Sequence, residues 1–128
     1  MSSEGLINFF LFCLGATLGG NIRFLIFTRL NFLFLKEKNN ILLVNLISSF
    51  LIGIYFAHLS SDNYQYGSKF MVFFLIGFIG SLSTFSTFIF NLFELAINKN
   101  YKKLLLYVFL SIFLSFISLF IGYFIIIF

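Results

Sequence analysis

Polar side chains that donate hydrogen bonds recur within the apolar runs of this sequence, at spacings that place them on shared helix faces. One run carries an asparagine and two serines at i, i+3 and i+4, and the last run carries a tyrosine and two serines four residues apart. These residues are Asn45, Ser48, Ser49, Tyr107, Ser111 and Ser115. Such side chains hold membrane helices together, bond back to their own backbone, or line a polar path. The amide of an asparagine can also donate to a buried anion.

A second polar cluster is the segment "GFIGSLSTFSTF", residues 77–88, in which seven of twelve residues are glycine, serine or threonine. Glycine costs about 1 kcal/mol in a helix interior, and serine hydroxyls compete for backbone groups. The cluster therefore predicts an interrupted helix, and the freed carbonyls of such an interruption can hold a cation. The residues that carry this prediction are Gly77, Gly80, Ser81 and Ser83.

Beyond the predicted interruption, polar residues alternate with phenylalanines. The polar ones stand at i, i+3, i+7 and i+10 and form a stripe, which consists of Thr84, Thr87, Asn91 and Glu94. Phe85 and Phe88 share a neighbouring face. Most of the 23 phenylalanines in the chain are expected to be lipid-facing filler.

The composition is that of a membrane protein. Of the 128 residues, 61% are hydrophobic and 9% are charged, with no proline or tryptophan and a mean hydropathy of +1.09; soluble domains are about one quarter charged. The net charge is +4, but the basic residues are scattered near the ends of apolar runs, which argues against nucleic-acid binding. Cys13 is a single cysteine and forms no internal disulfide. No nucleophile stands with a base, so an enzyme is not expected.

Four apolar runs, each long enough to cross a hydrocarbon core of about 30 Å, predict an all-α membrane protein with one domain over residues 1–128. The predicted helices cover about residues 6–28, 41–59, 70–97 and 104–128. Polar connections fall at about 29–40, 60–69 and 98–103. The first run has no basic region before it and continues past any cleavage site, so it is read as a helix rather than a signal peptide.

The first predicted helix holds small residues and one arginine. Gly15 and Gly19 are four apart, as are Ala16 and Gly20, and this spacing lets helices approach closely. Arg23 lies about one turn inside the helix end. Its charge either reaches the headgroups along the helix or remains as a fixed positive charge at a pore mouth.

Together these motifs closely resemble the fluoride channels of the CrcB, or Fluc, type, over essentially the whole chain. The resemblance is carried by "GGNIRF", by "VNLISSF", by "TFSTF" after the glycine-containing segment, and by the Tyr-Ser-Ser track of the last helix. It implies a third helix broken mid-membrane and a dual-topology, antiparallel dimer with two narrow pores. The implied activity is passive fluoride export across a bacterial plasma (inner) membrane, which lowers fluoride toxicity.

The resemblance also implies roles for single residues. A structural Na⁺ at the dimer centre would be held by the backbone carbonyls of Gly80 and Ser83. Phe85, Phe88 and Asn45 would line the pore, and Arg23 would lie in the vestibule. The hydroxyl residues expected in the same fluoride pore are Thr84, Thr87, Tyr107, Ser111 and Ser115. Asn91 stands where the family often has an acidic residue.

Two other classes of function fit a short four-helix chain. A small proton-coupled multidrug exporter needs a carboxylate deep in the membrane, whereas the acidic residues here lie at a terminus, in connections or near a helix end; they are Glu4, Glu37, Asp62 and Glu94. A non-transporting membrane scaffold would use the polar residues only to hold helices together.

The connection charges predict how the chain inserts. With four crossings, both termini share one side with the second connection, which carries only Lys69. The other side carries six basic residues: Arg29, Lys36, Lys38, Lys99, Lys102 and Lys103. The positive-inside rule therefore predicts termini outside the cytoplasm. An antiparallel dimer would then need a paralogue of opposite orientation as its partner, with a dual-topology homodimer as the alternative.

Overall fold

The computed structural model of the chain is all-helical and describes residues 3–32, 37–60 and 68–128. In chain order the elements are α1 (Ser3–Phe32), α2 (Glu37–Ser60), α3 (Ser68–Met71), a π-helical segment (Val72–Ile79), α4 (Gly80–Leu82), α5 (Ser86–Ile97) and α6 (Tyr101–Ile127). Within these ranges, four stretches are long and apolar enough to cross a membrane: Ser3–Arg29, Asn39–Ser60, Lys69–Ile97 and Tyr101–Ile127. The prediction of an all-α chain with four such helices is confirmed.

The helices are longer than the apolar runs that predict them. Helix α1 continues to Phe32, α2 begins at Glu37, and α6 begins at Tyr101. An apolar run marks only the part of a helix that suits hydrocarbon, whereas backbone hydrogen bonds continue the helix into its polar flanks. The central parts of two predicted connections, residues 33–36 and 61–67, lie outside the described residues.

Helix α2 packs along α6, and the two backbones are in direct contact. A Cβ atom at Gly53 would overlap the carbonyl oxygen of Leu119, and a Cβ atom at Gly122 would overlap that of Phe50. Close by, the Ser118 hydroxyl of α6 donates a hydrogen bond of 2.8 Å to the carbonyl of Leu46 in α2. These contacts fix which faces of the two helices meet, and hence which side chains lie between them.

Helix α1 packs against the π-helical segment and α4. A Cβ atom at Gly15 or Gly19 would overlap the carbonyl oxygen of Phe73 or Phe78, respectively. The close approach predicted from this glycine pair is therefore present. Gly20 takes no part in it, because a Cβ atom there would meet nothing within 4 Å.

The third span is not one regular α-helix. After the π-helical segment and α4, Ser83 has an extended backbone with φ −67° and ψ 155°, and α5 begins only at Ser86. Gly80 has helical angles, with φ −60° and ψ −34°. The extended backbone therefore follows Gly80 rather than falling on it, and it begins at Ser83. The residues outside the helices are Ser83, Thr84 and Phe85, one to three positions after Leu82, the end of α4.

Large apolar side chains cover the outside of the bundle. On α6 the phenylalanine rings are exposed along the whole helix, namely Phe109, Phe113, Phe116, Phe120 and Phe124. The fully buried apolar side chains are few and include Ile41, Val44 and Leu82. This distribution suits a chain surrounded by lipid, and it agrees with the interpretation of most phenylalanines as lipid-facing.

Candidate functional site

The non-helical segment of the third span is held by a side chain of α2. The backbone N–H of Thr84 donates to Oδ1 of Asn45 at 3.1 Å, and the Thr84 hydroxyl donates to that of Thr87 at 2.8 Å. In a continuous α-helix the Thr84 N–H would bond to the carbonyl of Gly80, four residues earlier. The bond to Asn45 replaces that one, so the Gly80 carbonyl loses its helical donor.

A cavity of about 540 Å³ lies beside this anchored segment, between α2, α6 and the start of α5. We call it the polar cavity. Its polar lining residues are Asn45, Ser48, Ser49, Ser83, Thr84, Ser111 and Ser115. Its apolar lining residues are Ile52, Phe85, Phe88, Ile112, Phe116 and Leu119. The lining within the described residues includes no charged side chain.

The hydrogen-bond donors of the polar cavity differ in availability. The Ser48 hydroxyl donates to the carbonyl of Val44 at 2.9 Å, so its proton is already used. Asn45 uses its amide oxygen as an acceptor for Thr84, which leaves the amide N–H groups as donors. Ser111 and Ser115 line the cavity from α6. An anion in the cavity would therefore meet amide and hydroxyl donors and no full positive charge.

The two phenylalanines of "TFSTF" occupy different environments. Phe88 is half-buried, and its ring centroid lies 5.4 Å from that of Tyr107, with the planes tilted by 31°. Phe85 also lines the polar cavity but is 75% exposed. In a single chain Phe88 thus lies between the polar cavity and Tyr107, whereas Phe85 lies where the cavity reaches the outside of the bundle.

A second cavity, of about 750 Å³, lies at the turn between α5 and α6, and we call it the end cavity. Its lining residues are Asn39, Phe90, Asn91, Glu94, Leu95, Asn98, Asn100, Lys103, Leu106, Tyr107 and Leu110. Tyr107 belongs to this lining and its ring packs on Phe88, which lines the polar cavity. The two cavities therefore meet at the Phe88–Tyr107 pair.

Most residues predicted from sequence for a pore come together in the structure. The polar cavity includes seven of the predicted site residues: Asn45, Ser83, Thr84, Phe85, Phe88, Ser111 and Ser115. Thr87 is connected to this group by its hydrogen bond with Thr84. Tyr107 lies in the end cavity instead. Neither cavity is lined by Gly80 or by Arg23, which is half-buried on α1.

The apolar part of the lining was missed. Ile52, Ile112 and Leu119 lie in runs of similar residues, and nothing in their spacing distinguishes them from lipid-facing neighbours. They line the cavity only because α2 and α6 pack together in this register.

Acidic and metal-binding side chains are not grouped in the described part of the chain. No three His, Cys, Asp or Glu residues there lie close enough together to hold a metal ion. Backbone carbonyls and hydroxyls are also ligands that hard cations such as Na⁺ accept.

Four membrane-length helices and a polar cavity beside an irregular segment define a small multi-pass membrane protein. The family model described as CrcB-like protein, Camphor Resistance (CrcB), matches residues 10–123. The chain therefore belongs to the CrcB family, as its motifs predict.

Named relatives support this assignment. The chain is 41% identical over 85 residues to a Fluoride-specific ion channel FluC 2 of Prochlorococcus marinus strain NATL2A, covering 66% of this chain and 68% of the relative. It is 34% identical over 112 residues to a protein of the same name from strain MIT 9312, covering 87% of each. It is 39% identical over 74 residues to the Fluoride-specific ion channel FluC of Acinetobacter baylyi, covering 58% of this chain and 57% of the relative.

Proposed function

We propose that this chain forms a fluoride-selective channel that exports fluoride passively across a bacterial plasma membrane and so lowers its cytoplasmic concentration. The observation that carries the proposal is the polar cavity: an uncharged lining of amide, hydroxyl and phenyl groups beside an irregular segment of a membrane-length span. The relatives named as fluoride-specific channels support the choice of ion.

The chemistry of fluoride explains the type of lining. Fluoride is small and strongly hydrated, so a pore must replace its water with donors at close range. The Asn45 amide and the hydroxyls of Ser111 and Ser115 supply such donors. A full positive charge would hold the anion tightly, whereas several neutral donors bind it weakly enough to release it. The lining therefore favours conduction over trapping.

The phenylalanine pair extends this path. The positive edge of a phenyl ring attracts an anion weakly and offers it no hydrogen bond. In our proposal fluoride passes the edges of Phe85 and Phe88 and continues towards Tyr107, whose ring lies against Phe88. Thr84 and Thr87 position this part of α5 through their mutual hydrogen bond.

The proposed assembly is an antiparallel dimer. Phe85 is 75% exposed in the single chain, so a polar path beside it needs a further surface to exclude lipid. We propose that a second subunit in the opposite orientation supplies that surface. Ser83 stands fourteen residues from each end of the Lys69–Ile97 span, which suits an interruption at the middle of the bilayer.

A structural Na⁺ fits the interruption. The carbonyl of Gly80 loses its helical donor because Thr84 bonds to Asn45, and the extended backbone of Ser83 follows closely. Carbonyl oxygens from Gly80 and Ser83 of two antiparallel subunits would hold the ion, which would fix the subunits together. Ser83→Thr should retain sodium-dependent stability, because only the backbone oxygen is used. Equal thermal stability in sodium and in N-methylglucamine would contradict this role.

Fluoride efflux from liposomes tests the proposed function. Purified protein should dissipate a fluoride gradient without a proton gradient and with little chloride flux. A requirement for a proton gradient would instead indicate a coupled exporter, and no efflux would indicate a scaffold. Against the exporter, the polar cavity has no carboxylate in its described lining.

A further inference from the structure

The Ser118 hydroxyl bonds to a neighbouring helix rather than to its own. Serine and threonine side chains in membrane helices commonly bond back to the carbonyl four residues earlier. Four hydroxyl residues of this chain do so, namely Thr17, Thr28, Ser48 and Ser60. Ser118 of α6 instead donates to the carbonyl of Leu46 in α2 at 2.8 Å. The bond therefore connects α6 to the residue that directly follows Asn45.

The face of α2 that contacts α6 lies next to the face that lines the polar cavity. The carbonyls of Leu46 and Phe50 and the backbone of Gly53 contact α6. Each of these three residues directly follows a residue of the cavity lining, and those lining residues are Asn45, Ser49 and Ile52. Successive residues of an α-helix are about 100° apart. A rotation of α2 by one residue would therefore bring the contact face into the cavity and carry the Asn45 amide out of it.

On α6 the contact residues and the lining residues share one face. Its small residues stand at i, i+4, i+7 and i+11, which places them on one side of the helix; they are Ser111, Ser115, Ser118 and Gly122. The backbone contact at Gly122 sets how closely the two helices approach. The hydrogen bond of Ser118 also sets their rotation, because a hydrogen bond weakens steeply when its donor and acceptor are misaligned.

We infer that Ser118 is a positioning residue for ion selectivity, because its bond to α2 holds the Asn45 amide in place opposite the hydroxyls of Ser111 and Ser115. The inference rests on the proposed fluoride path. A small, strongly hydrated anion is stabilised only by donors at close range. Donors that move apart stabilise fluoride less, whereas the larger and more weakly hydrated chloride loses little. The bond of Ser118 therefore favours fluoride over chloride.

The ratio of fluoride efflux to chloride efflux from liposomes tests this role. Ser118→Ala removes the bond, and the ratio should fall about fivefold, the factor that corresponds to the net free energy of one hydrogen bond. Ser118→Thr keeps the hydroxyl and should keep the wild-type ratio. A loss of folded protein lowers both fluxes in proportion, so the ratio separates positioning from stability. The matched control is Thr17→Val, which removes a hydroxyl bonded within α1 and should leave the ratio unchanged.

A further variant and an independent readout complete the test. Ser118→Cys has a similar size but a weak donor, so its ratio should lie between those of the wild type and Ser118→Ala. It replaces Ser118→Ala if the alanine variant does not fold. In protein with ¹⁵N-labelled asparagine side chains, either variant should shift the Asn45 amide resonance. The Asn21 amide, which donates to the Thr17 carbonyl at 2.9 Å on α1, should not shift.

The outcomes distinguish the positioning role from the proposed function. A wild-type efflux ratio in Ser118→Ala, or in Ser118→Cys where the alanine variant does not fold, would overturn the positioning role and leave the channel standing. Absence of fluoride efflux by the wild-type protein would overturn the proposed function. The Asn45 resonance would then decide the positioning role, and an unchanged resonance would overturn it.

Discussion

The backbone N–H of Thr84 donates to the side-chain oxygen of Asn45 across a separation of 39 residues in sequence. This bond connects α2 to the non-helical segment between α4 and α5. It replaces a helical bond within the third span, so one side chain sets the path of the backbone immediately before Phe85. The donor end of the same amide remains beside the polar cavity.

Substitutions of Asn45 should separate its two roles. Asn45→Asp keeps an acceptor for Thr84 but removes the amide donors, so the protein should fold and lose most of its fluoride flux. Asn45→Leu removes the acceptor as well and leaves the Thr84 N–H unpaired, at a cost of about 1–3 kcal/mol. Thermal unfolding in detergent and liposome efflux measure the two effects. Normal efflux by Asn45→Asp would contradict the donor role.

Substitution of the phenylalanine pair should reduce flux without loss of assembly. Phe88→Ile and Phe85→Ile remove the ring edges proposed to contact the ion, and fluoride efflux should fall at least tenfold. Phe93→Ile is the matched control, because Phe93 is exposed on α5 and lines neither cavity. Equal efflux in all three variants would show that neither ring contacts the ion and that both are lipid-facing filler.

Alanine at the α2–α6 contact should destabilise the fold. Gly53→Ala and Gly122→Ala place a methyl group against a carbonyl of the facing helix, and forced separation of packed helices costs about 1–3 kcal/mol. The midpoint of thermal unfolding should fall in both variants. Gly20→Ala, at a position with open space around it, should leave the midpoint unchanged or raise it. A midpoint unchanged in Gly53→Ala would show that the two helices separate at little cost.

A glycine at residue 99 should stabilise the turn between α5 and α6. Lys99 has φ 53°, and the N–H of the following Asn100 bonds back to the Leu95 carbonyl at 3.0 Å, as in a Schellman helix end. Glycine adopts this backbone region without the steric cost of a side chain, so Lys99→Gly should raise the unfolding free energy by about 1 kcal/mol. Lys102→Gly, inside α6, should lower it. The reverse order would argue against this turn geometry.

The distribution of basic residues should give the chain one main orientation. Arg29, Lys99, Lys102 and Lys103 belong to the same predicted side, whereas Lys69 lies alone on the other, and Lys36 is outside the described residues. Compartment-sensitive reporters on the termini should locate them outside the cytoplasm when the chain is expressed alone. Equal signal from both sides would support the dual-topology homodimer.

The helices were predictable because each is dominated by one uninterrupted apolar run. Their ends were not, since a helix such as α2 continues to Glu37 through polar residues that hydropathy assigns to a connection. The site was predictable where it depended on residues of one helix, as with Ser111 and Ser115. The pairing of Thr84 with Asn45 was not, because it depends on how two distant spans pack.

The glycines show why a residue type alone can mislead. Gly77 belongs to the cluster that predicts an interruption, and it lies within the π-helical segment, where it packs closely on α1. Its role is determined by the neighbouring helix rather than by its own conformational freedom. The glycine correctly indicated a position with an unusual backbone requirement. It did not reveal that the requirement is close contact with a neighbouring helix.

The π-helical segment makes the third span tolerant of a change in chain length. In a π-helix each backbone hydrogen bond joins residues five apart, whereas in an α-helix it joins residues four apart. Each hydrogen-bonded turn of a π-helix therefore contains one extra residue. A single deletion within Val72–Ile79 can thus be absorbed by tightening its turns, without moving Ser83. The same deletion early in α6 would rotate every later side chain by about 100° and carry Ser111 and Ser115 away from the polar cavity. Among related sequences, single-residue insertions and deletions are therefore expected in the first half of the third span and not in α6.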